Sequence, residues 1–344
     1  MNMFELLLPK YELPTKPKLF EAFAGIGCQR LAFNRLGIEV EMVGISEIDK
    51  YALQSYMAIH GETKNFGSIC DIQSLPEVDV FTWSFPCTDL SKAGKQKGLT
   101  NTRSGLVYEV LRILHNTEHK PKVLIMENVV DLVQTKFIRE FQSIQHELEL
   151  MGYTNYTETM NAKDYGVAQN RDRVFMVSIL GDYYYEFPQP FKLEKRLKDY
   201  LENEVDEKYY LSDKLLSFFQ ENSKNNEEKG NGFRFKPKDD DSIANAVTTL
   251  AGNRMDDNFI KIPEDTIKGY AEANDGDGVY INRPHQKRGV VQNQMIQTLK
   301  TSGNDVGVVQ NLRIRKLTPL ECWRLMGIDD EDFYKAQLSG VSNS

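Results

Sequence analysis

The sequence predicts an α/β protein, a doubly wound sheet of mostly parallel strands accompanied by a smaller, irregular β-rich domain. Three observations support this. The short apolar runs Val78 to Trp83 and Val123 to Met126 have the length and unbroken hydrophobicity of strands buried on both faces. Between and after them, apolar residues recur at helical spacing, so strand and helix signals alternate. After Gly181 the alternation stops, and Tyr183-Tyr184-Tyr185, Pro188 and Pro190 mark a boundary.

In chain order, Lys18 to Ala24 reads as a strand, Cys28 to Leu36 as a helix stopped by Gly37, and Glu39 to Ile45 as the second strand. A short third strand is expected to end at Asp71, and Val78 to Trp83 is the fourth. Leu106, Val107, Val110, Leu111, Ile113 and Leu114 share one helical face, and Val123 to Met126 is the fifth strand. Phe137 to Met151 repeats the helical pattern and ends at Gly152, a C-terminal cap. Tyr153 to Met160 and Val174 to Leu180 form a closing strand pair. Glu221 to Asn231, polar and charged, reads as a mobile loop. Ala246 to Asn253 and Ile296 to Asn304 are alike, either as related elements of an irregular β domain or by coincidence. Near the end, Thr318 is placed to N-cap a helix, Pro319 to occupy its first position, Glu321 to close a capping box and Gly327 to end it.

Composition excludes several classes. With 344 residues and 40% hydrophobic content the chain can build one large domain and a smaller one. No stretch reaches the roughly 20 apolar residues of a membrane span, and the N-terminus lacks a signal-peptide pattern. Cys28, Cys70, Cys87 and Cys322 are widely spaced, and the five histidines do not cluster, so free thiols in a reducing compartment and no metal site are expected. The net charge of −8 is unevenly spread. Ser91 to Arg103 carries +4 (Lys92, Lys95, Lys97, Arg103) and Ile281 to Lys316 carries +6, including Arg283, Lys287 and Arg288, leaving −18 elsewhere. Such segregation favours an anion-binding face over a merely solvated surface.

In an open parallel sheet, ligands bind outside the carboxyl ends of the strands. Gly25 and Gly27 follow the first strand, Glu47 the second, Asp71 the expected third, Cys87 the fourth and Glu127 the fifth. Alone, each has a bland explanation: a turn, an inert core thiol, a solvated carboxylate. Five on one predicted edge point to a nucleoside-bearing cofactor beside a thiol nucleophile, with Glu47 at the offset where an acidic residue meets ribose hydroxyls.

These residues resemble the cytosine-5 DNA methyltransferases, over roughly 18–180 and 312–330. Phe23-Ala24-Gly25-Ile26-Gly27 is similar to the cofactor-binding glycine motif, and Glu47-Ile48-Asp49 and Asp71-Ile72 to the segments holding the ribose and adenine of S-adenosylmethionine. Phe85-Pro86-Cys87 resembles the nucleophile motif, Glu127-Asn128-Val129 its carboxylate partner, and Gln169-Asn170-Arg171-Asp172-Arg173 the Gln-x-Arg-x-Arg motif. Arg315 to Glu321 resembles the helix that supports the recognition domain. Thr88 stands where Gln is usual, Cys28 where Gly is usual, and Ile48 where an aromatic often packs on adenine.

The resemblance implies a Rossmann-like methyltransferase sheet over 1–184, a target-recognition domain over 185–310 and a return to the catalytic domain over 311–344. It implies Cys87, Glu127, Asn128, Gln169, Arg171 and Arg173 as catalytic, and Phe23, Gly25, Ile26, Gly27, Glu47, Ile48, Asp71, Ile72 and Pro86 as cofactor-binding. Ser91, Lys95, Lys97 and Arg103, in a segment resembling the mobile loop that closes over DNA, join Arg283, Lys287 and Arg288 as the expected DNA contacts. Double-stranded DNA is the implied partner, and the cytoplasm of a bacterium, with a bacterial or phage gene, the implied location. Two other readings stand beside this one: a tRNA cytosine-5 methyltransferase on the same scaffold, and a DNA-binding protein of impaired activity. The second arises because Ser342-Asn343-Ser344 only superficially resembles the family's final Gly-Asn-Ser motif. The expectation is therefore a missing last element, with a second polypeptide able to supply it.

Overall fold

The structure, a computed structural model, describes residues 8–86, 105–228, 235–238, 241–247, 258–262, 278–280, 291–292, 306–308 and 313–341. Two compact units emerge: Met1–Tyr165 with Arg171–Lys192 and Ile328–Ser344, and Gly166–Asn170 with Leu193–Gly327.

The first unit is built on a six-stranded sheet in the order β2-β1-β3-β4-β7-β5, from β1 (Lys18–Ala22), β2 (Glu41–Ser46), β3 (Val80–Trp83), β4 (Val123–Val129), β5 (Tyr153–Asn161) and β7 (Asp172–Leu180). The first four run parallel, while β7 lies antiparallel between β4 and β5. The expected closing strand pair is thus present. Because each strand alternates sides, the central strands are apolar on both faces. Phe20, Ala22, Phe81, Trp83, Leu124 and Met126 pack toward α3 (Leu106–Asn116) and α4 (Ile138–Leu150). Leu19, Val80 and Val123 pack with Phe33 of α1 (Cys28–Arg35). That two-sided burial is why these strands read as continuous apolar runs. Helix α3 buries Val107, Val110, Leu111, Ile113 and Leu114, the face anticipated from their spacing. Gly37 and Gly152, at φ 70° and 92°, end α1 and α4 in the left-handed conformation that favours glycine.

Other expectations are corrected. No strand ends at Asp71: Ile69–Asp71 is a 3₁₀ turn, because the Ser68 hydroxyl accepts the Cys70 N–H and its carbonyl the Asp71 N–H. Two helices carried no sequence assignment. Helix α2 (Lys50–His60) is N-capped by Asp49, which accepts from Tyr51 and Ala52 N–H. Helix α7 (Asp330–Leu338) buries Phe333 and Ala336 and packs on α2.

The second unit has short strands. β6 (Gln169–Asn170) pairs in parallel with β8 (Ala244–Asn245), and β9 (Phe259–Ile262) antiparallel with β13 (Arg313–Lys316). β10 (Gly278–Tyr280) lies between β11 (Val291–Gln292) and β12 (Val306–Val308). The polar segment expected to be a loop from Glu221 continues a helix instead, α5 (Asp213–Glu228). Its Glu and Lys residues are good helix formers on a solvated face. Helix α6 (Pro319–Leu325) has the expected capping box, with Thr318 and Glu321 bonding reciprocally. The two similar segments fall almost wholly outside the described residues.

Candidate active site

The sheet order contains a topological switch. From β1 the chain passes outward to β2, then returns to β3 on the other side of β1. Ligands bind beyond the strand ends flanking such a point. The register puts four strand ends in one row: Ser46 opposite Ala22, Ala22 opposite Trp83, Trp83 opposite Met126. The next residues along those strands are Glu47, Phe23, Ser84 and Glu127. One edge therefore carries the acidic residue, the glycine loop, the approach to Cys87 and the second carboxylate.

The glycine loop is tightly shaped. Phe23 has φ 56°, a left-handed conformation costly for a residue with a β-carbon. Gly25, at φ 56°, has nothing within 4 Å of where a β-carbon would stand, so its open side admits a ligand to the backbone. Gly27 differs: a β-carbon there would lie 2.3 Å from His60 Nε2 and 2.7 Å from the Tyr56 ring, so packing alone demands glycine. Glu47 is oriented by three backbone donors. Its Oε2 accepts Gly25 N–H and its Oε1 those of Ile48 and Asp49, each at 2.8 Å. A carboxylate offers about four acceptor positions, which leaves capacity for a ribose hydroxyl. Ile48 is 76% exposed beside it. Asp71 is exposed, whereas the Ile72 side chain is buried in the core.

At the other end of the row, Glu127 Oε1 meets Arg173 Nε at 2.9 Å, the side chains being 29% and 21% exposed. Val129 pairs with Arg173 and Glu127 with Phe175, so Glu127 and Arg173 sit diagonally on one face of the antiparallel ladder. Arg173 Nη1 also donates to the Asp172 carbonyl at 2.7 Å. Asn128, buried on the opposite face, donates to the Phe85 carbonyl at 3.2 Å and accepts Val129 N–H at 2.8 Å, which ties the Phe85-Pro86 segment to β4. Pro86 is the last described residue before Cys87. Cys87, Ser91, Lys95, Lys97, Arg103, Arg283, Lys287 and Arg288 lie outside the described residues.

Gln169 belongs to the second unit, buried, where Nε2 donates to the Leu325 carbonyl at 2.6 Å and Oε1 accepts Val247 N–H at 3.2 Å. Arg171, in the first unit, donates its backbone N–H to Asn161 Oδ1. Sequence reasoning missed Asn65, whose Oδ1 accepts Glu47 N–H at 3.1 Å while Nδ2 donates to the Glu47 carbonyl at 2.9 Å. The Asn65-Phe66-Gly67 turn was its only signal. Among the described residues no group of three or more His, Cys, Asp or Glu could hold a metal ion, and no helix is long and apolar enough to cross a membrane.

The fold is a Rossmann-like methyltransferase fold. The solved structure of S. pombe Dnmt2 methyltransferase shares it, with a TM-score of 0.62 at 17% identity over 95% of this chain and 94% of that one. The sequence matches C-5 cytosine-specific DNA methylase over residues 18–343, and the chain belongs to that family. A type II methyltransferase of Neisseria lactamica is 39% identical over 221 residues, 63% of this chain and 70% of that protein. A type II methyltransferase of Lactococcus lactis subsp. cremoris is 32% identical over an alignment of 387 positions, covering 95% of this chain and 92% of the relative. An orphan methyltransferase of Bacillus phage SPR is 30% identical, covering 96% and 92%. Membership implies use of S-adenosylmethionine, and the open glycine loop and oriented Glu47 fit a nucleoside-bearing group.

Proposed function

We propose that this chain methylates carbon 5 of a cytosine flipped out of double-stranded DNA, at a specific sequence, through a covalent adduct with Cys87. The observation that carries the reading is the Glu127–Arg173 pair on the strand end next to the Phe85-Pro86 segment, held by Asn128. Carbon 5 of cytosine is too weak a nucleophile to accept a methyl group directly. The Cys87 thiolate forms a bond to carbon 6, and the displaced π electrons collect at carbon 5 and the ring nitrogens. Glu127, held by Arg173, supplies a proton at ring nitrogen 3 that stabilises the adduct. Bound S-adenosylmethionine would supply the methyl group, held by Glu47 and the Phe23 to Gly27 backbone, with Ile48, Asp71, the Ile72 backbone and Pro86 around it. A solvent water then takes the carbon-5 proton, the freed electron pair restores the double bond and expels Cys87 as a thiolate, and the nitrogen-3 proton returns to Glu127. A stacked base is out of reach, so flipping is required, at a few kcal/mol.

The remaining assignments belong to the same proposal. Arg173 also orients the base through its carbonyl oxygen, Gln169 braces the segment that leads into Arg171, and Ser91, Lys95, Lys97, Arg103, Arg283, Lys287 and Arg288 contact DNA. Residues 185–310 serve target recognition. The test is to incubate the protein with unmethylated duplex DNA and S-adenosylmethionine and map 5-methylcytosine by bisulfite sequencing. One short sequence context should be modified throughout. Unmodified DNA alongside methylated tRNA would overturn the reading.

A further inference from the structure

The glycine loop rests on buried polar side chains that the proposed chemistry does not use. Helix α1 begins at Cys28, and its first bond from the loop is Leu31 N–H to the Gly27 carbonyl, 3.0 Å. One step earlier, a regular helix would join Arg30 N–H to the Ile26 carbonyl. That bond is replaced at both ends. Arg30 N–H goes instead to Glu21 Oε1 at 3.0 Å, and the Ile26 carbonyl takes His60 Nε2 at 3.1 Å. A carbonyl can only accept, so His60 carries its proton on Nε2. Tyr56 joins the two replacements: its hydroxyl donates to Glu21 Oε2 at 2.7 Å, and its ring lies 4.6 Å from that of His60. Arg30 Nη1 reaches Tyr56 Oη at 3.5 Å and Thr63 Oγ1 at 3.2 Å. Glu21 and Tyr56 are fully buried.

The consequence concerns loop shape. Were the helix extended by that bond, Ile26 would be drawn into the helix, pulling on the turn in which Gly27 N–H meets the Ala24 carbonyl at 2.8 Å. With Glu21 and His60 as substitute partners, that turn persists and Gly25 keeps φ 56° with its open side outward. We propose that His60, acting through the Ile26 carbonyl, is a positioning residue for S-adenosylmethionine, keeping the glycine loop in its binding shape. This rests on the reading that the loop holds the cofactor. Burial first, then the positive charge of Arg30, push the His60 imidazole down to about 4, so near neutral pH it is uncharged and acts as a plain donor.

The test uses His60→Leu, which keeps apolar volume against Tyr56 but has no donor, and His60→Gln, whose amide nitrogen restores one. Calorimetry should show His60→Leu binding S-adenosylmethionine about tenfold more weakly, the worth of one such bond. Its cofactor KM should rise while kcat and the KM for DNA hold, and His60→Gln should recover most of the affinity. Should His60→Leu fail to fold, His60→Ala takes its place with the same expectation. Glu47→Ala is measured in parallel. Wild-type affinity in His60→Leu with loss in Glu47→Ala overturns the proposal alone. Wild-type affinity in both overturns the cofactor reading, and the proposal with it. Equal losses in His60→Leu and His60→Gln, tracking a common fall in Tm, would make His60 a packing residue and also refute the proposal.

Discussion

Two Arg–Glu pairs, one in each unit, show how identical residue types are put to different ends. Arg315 and Glu321 are 1% and 0% exposed and meet through two bonds of 2.8 Å, Nη1 to Oε2 and Nη2 to Oε1. Glu321 also accepts Thr318 and Glu202 N–H at 2.8 Å, and the Thr318 hydroxyl bonds to the Glu202 side chain. Every acceptor position of Glu321 is thereby spent on holding α6 to the segment before it. Arg173 and Glu127 meet by one contact, 2.9 Å, and stay partly exposed at the end of a strand row. A fully buried carboxylate with every acceptor position filled makes a structural clamp, whereas one partner among the described residues and access to solvent leave Glu127 able to meet a ligand.

Breaking each pair should separate the roles. Glu127→Gln should lower turnover by about 10²–10⁴-fold, the range for a lost acid–base group, with the denaturation midpoint near wild type. Single-turnover methylation and urea melts check this together. Glu321→Ala should do the converse, destabilising the second unit by about 3–5 kcal/mol because Arg315 is left buried without its counter-charge. Denaturant titration measures it. Arg173→Lys should cost less than loss of Glu127, about tenfold in rate, since an ammonium lacks the directed Nε donor.

A pH dependence of stability separates the two states further. The folded His60 sits near 4, below its ordinary 6.5, so between those values the unfolded chain binds a proton that the folded chain refuses. Stability from this group is present above 6.5 and is lost as pH falls toward 4. His60→Gln should flatten that part of the stability curve. Arg30, Tyr56 and Asp332 surround His60, and Asp332 of α7 partly offsets the Arg30 charge. Glu21, raised by burial, acts in the opposite sense and is kept in the variant, so the difference between the two curves isolates His60.

What could be read from the sequence follows the same contrast. The central strands were legible because burial on both faces forces unbroken apolar runs, as in Phe81 and Leu124, and α6 because Thr318, Pro319 and Glu321 carry its start signal locally. Helix α2 was hidden: Asp49 was read as part of a ligand segment, yet its side chain caps the helix. Helix α5 was hidden because a solvated helix face and a polar loop have the same composition. Asp71 is not the strand end expected from its place in the order, because the Ser68 hydroxyl settles a local 3₁₀ turn. Glu47 and Glu127 were placed by the strands they follow and the motifs they resemble. Their orientation, through Gly25, Asn65 and Arg173, depends on residues 18–46 positions away and has no local signal.

The central claim is that Cys87 attacks the cytosine beside Glu127. The most direct measurement places 5-fluorocytosine at the target position of a duplex, where fluorine cannot leave as a proton would, so that an adduct persists. With S-adenosylmethionine present, the protein should form a denaturation-resistant complex with this DNA, and Cys87→Ser should form none while still binding the duplex. Methyl transfer to ordinary cytosine without any trapped complex, or trapping that survives Cys87→Ser, would contradict the account.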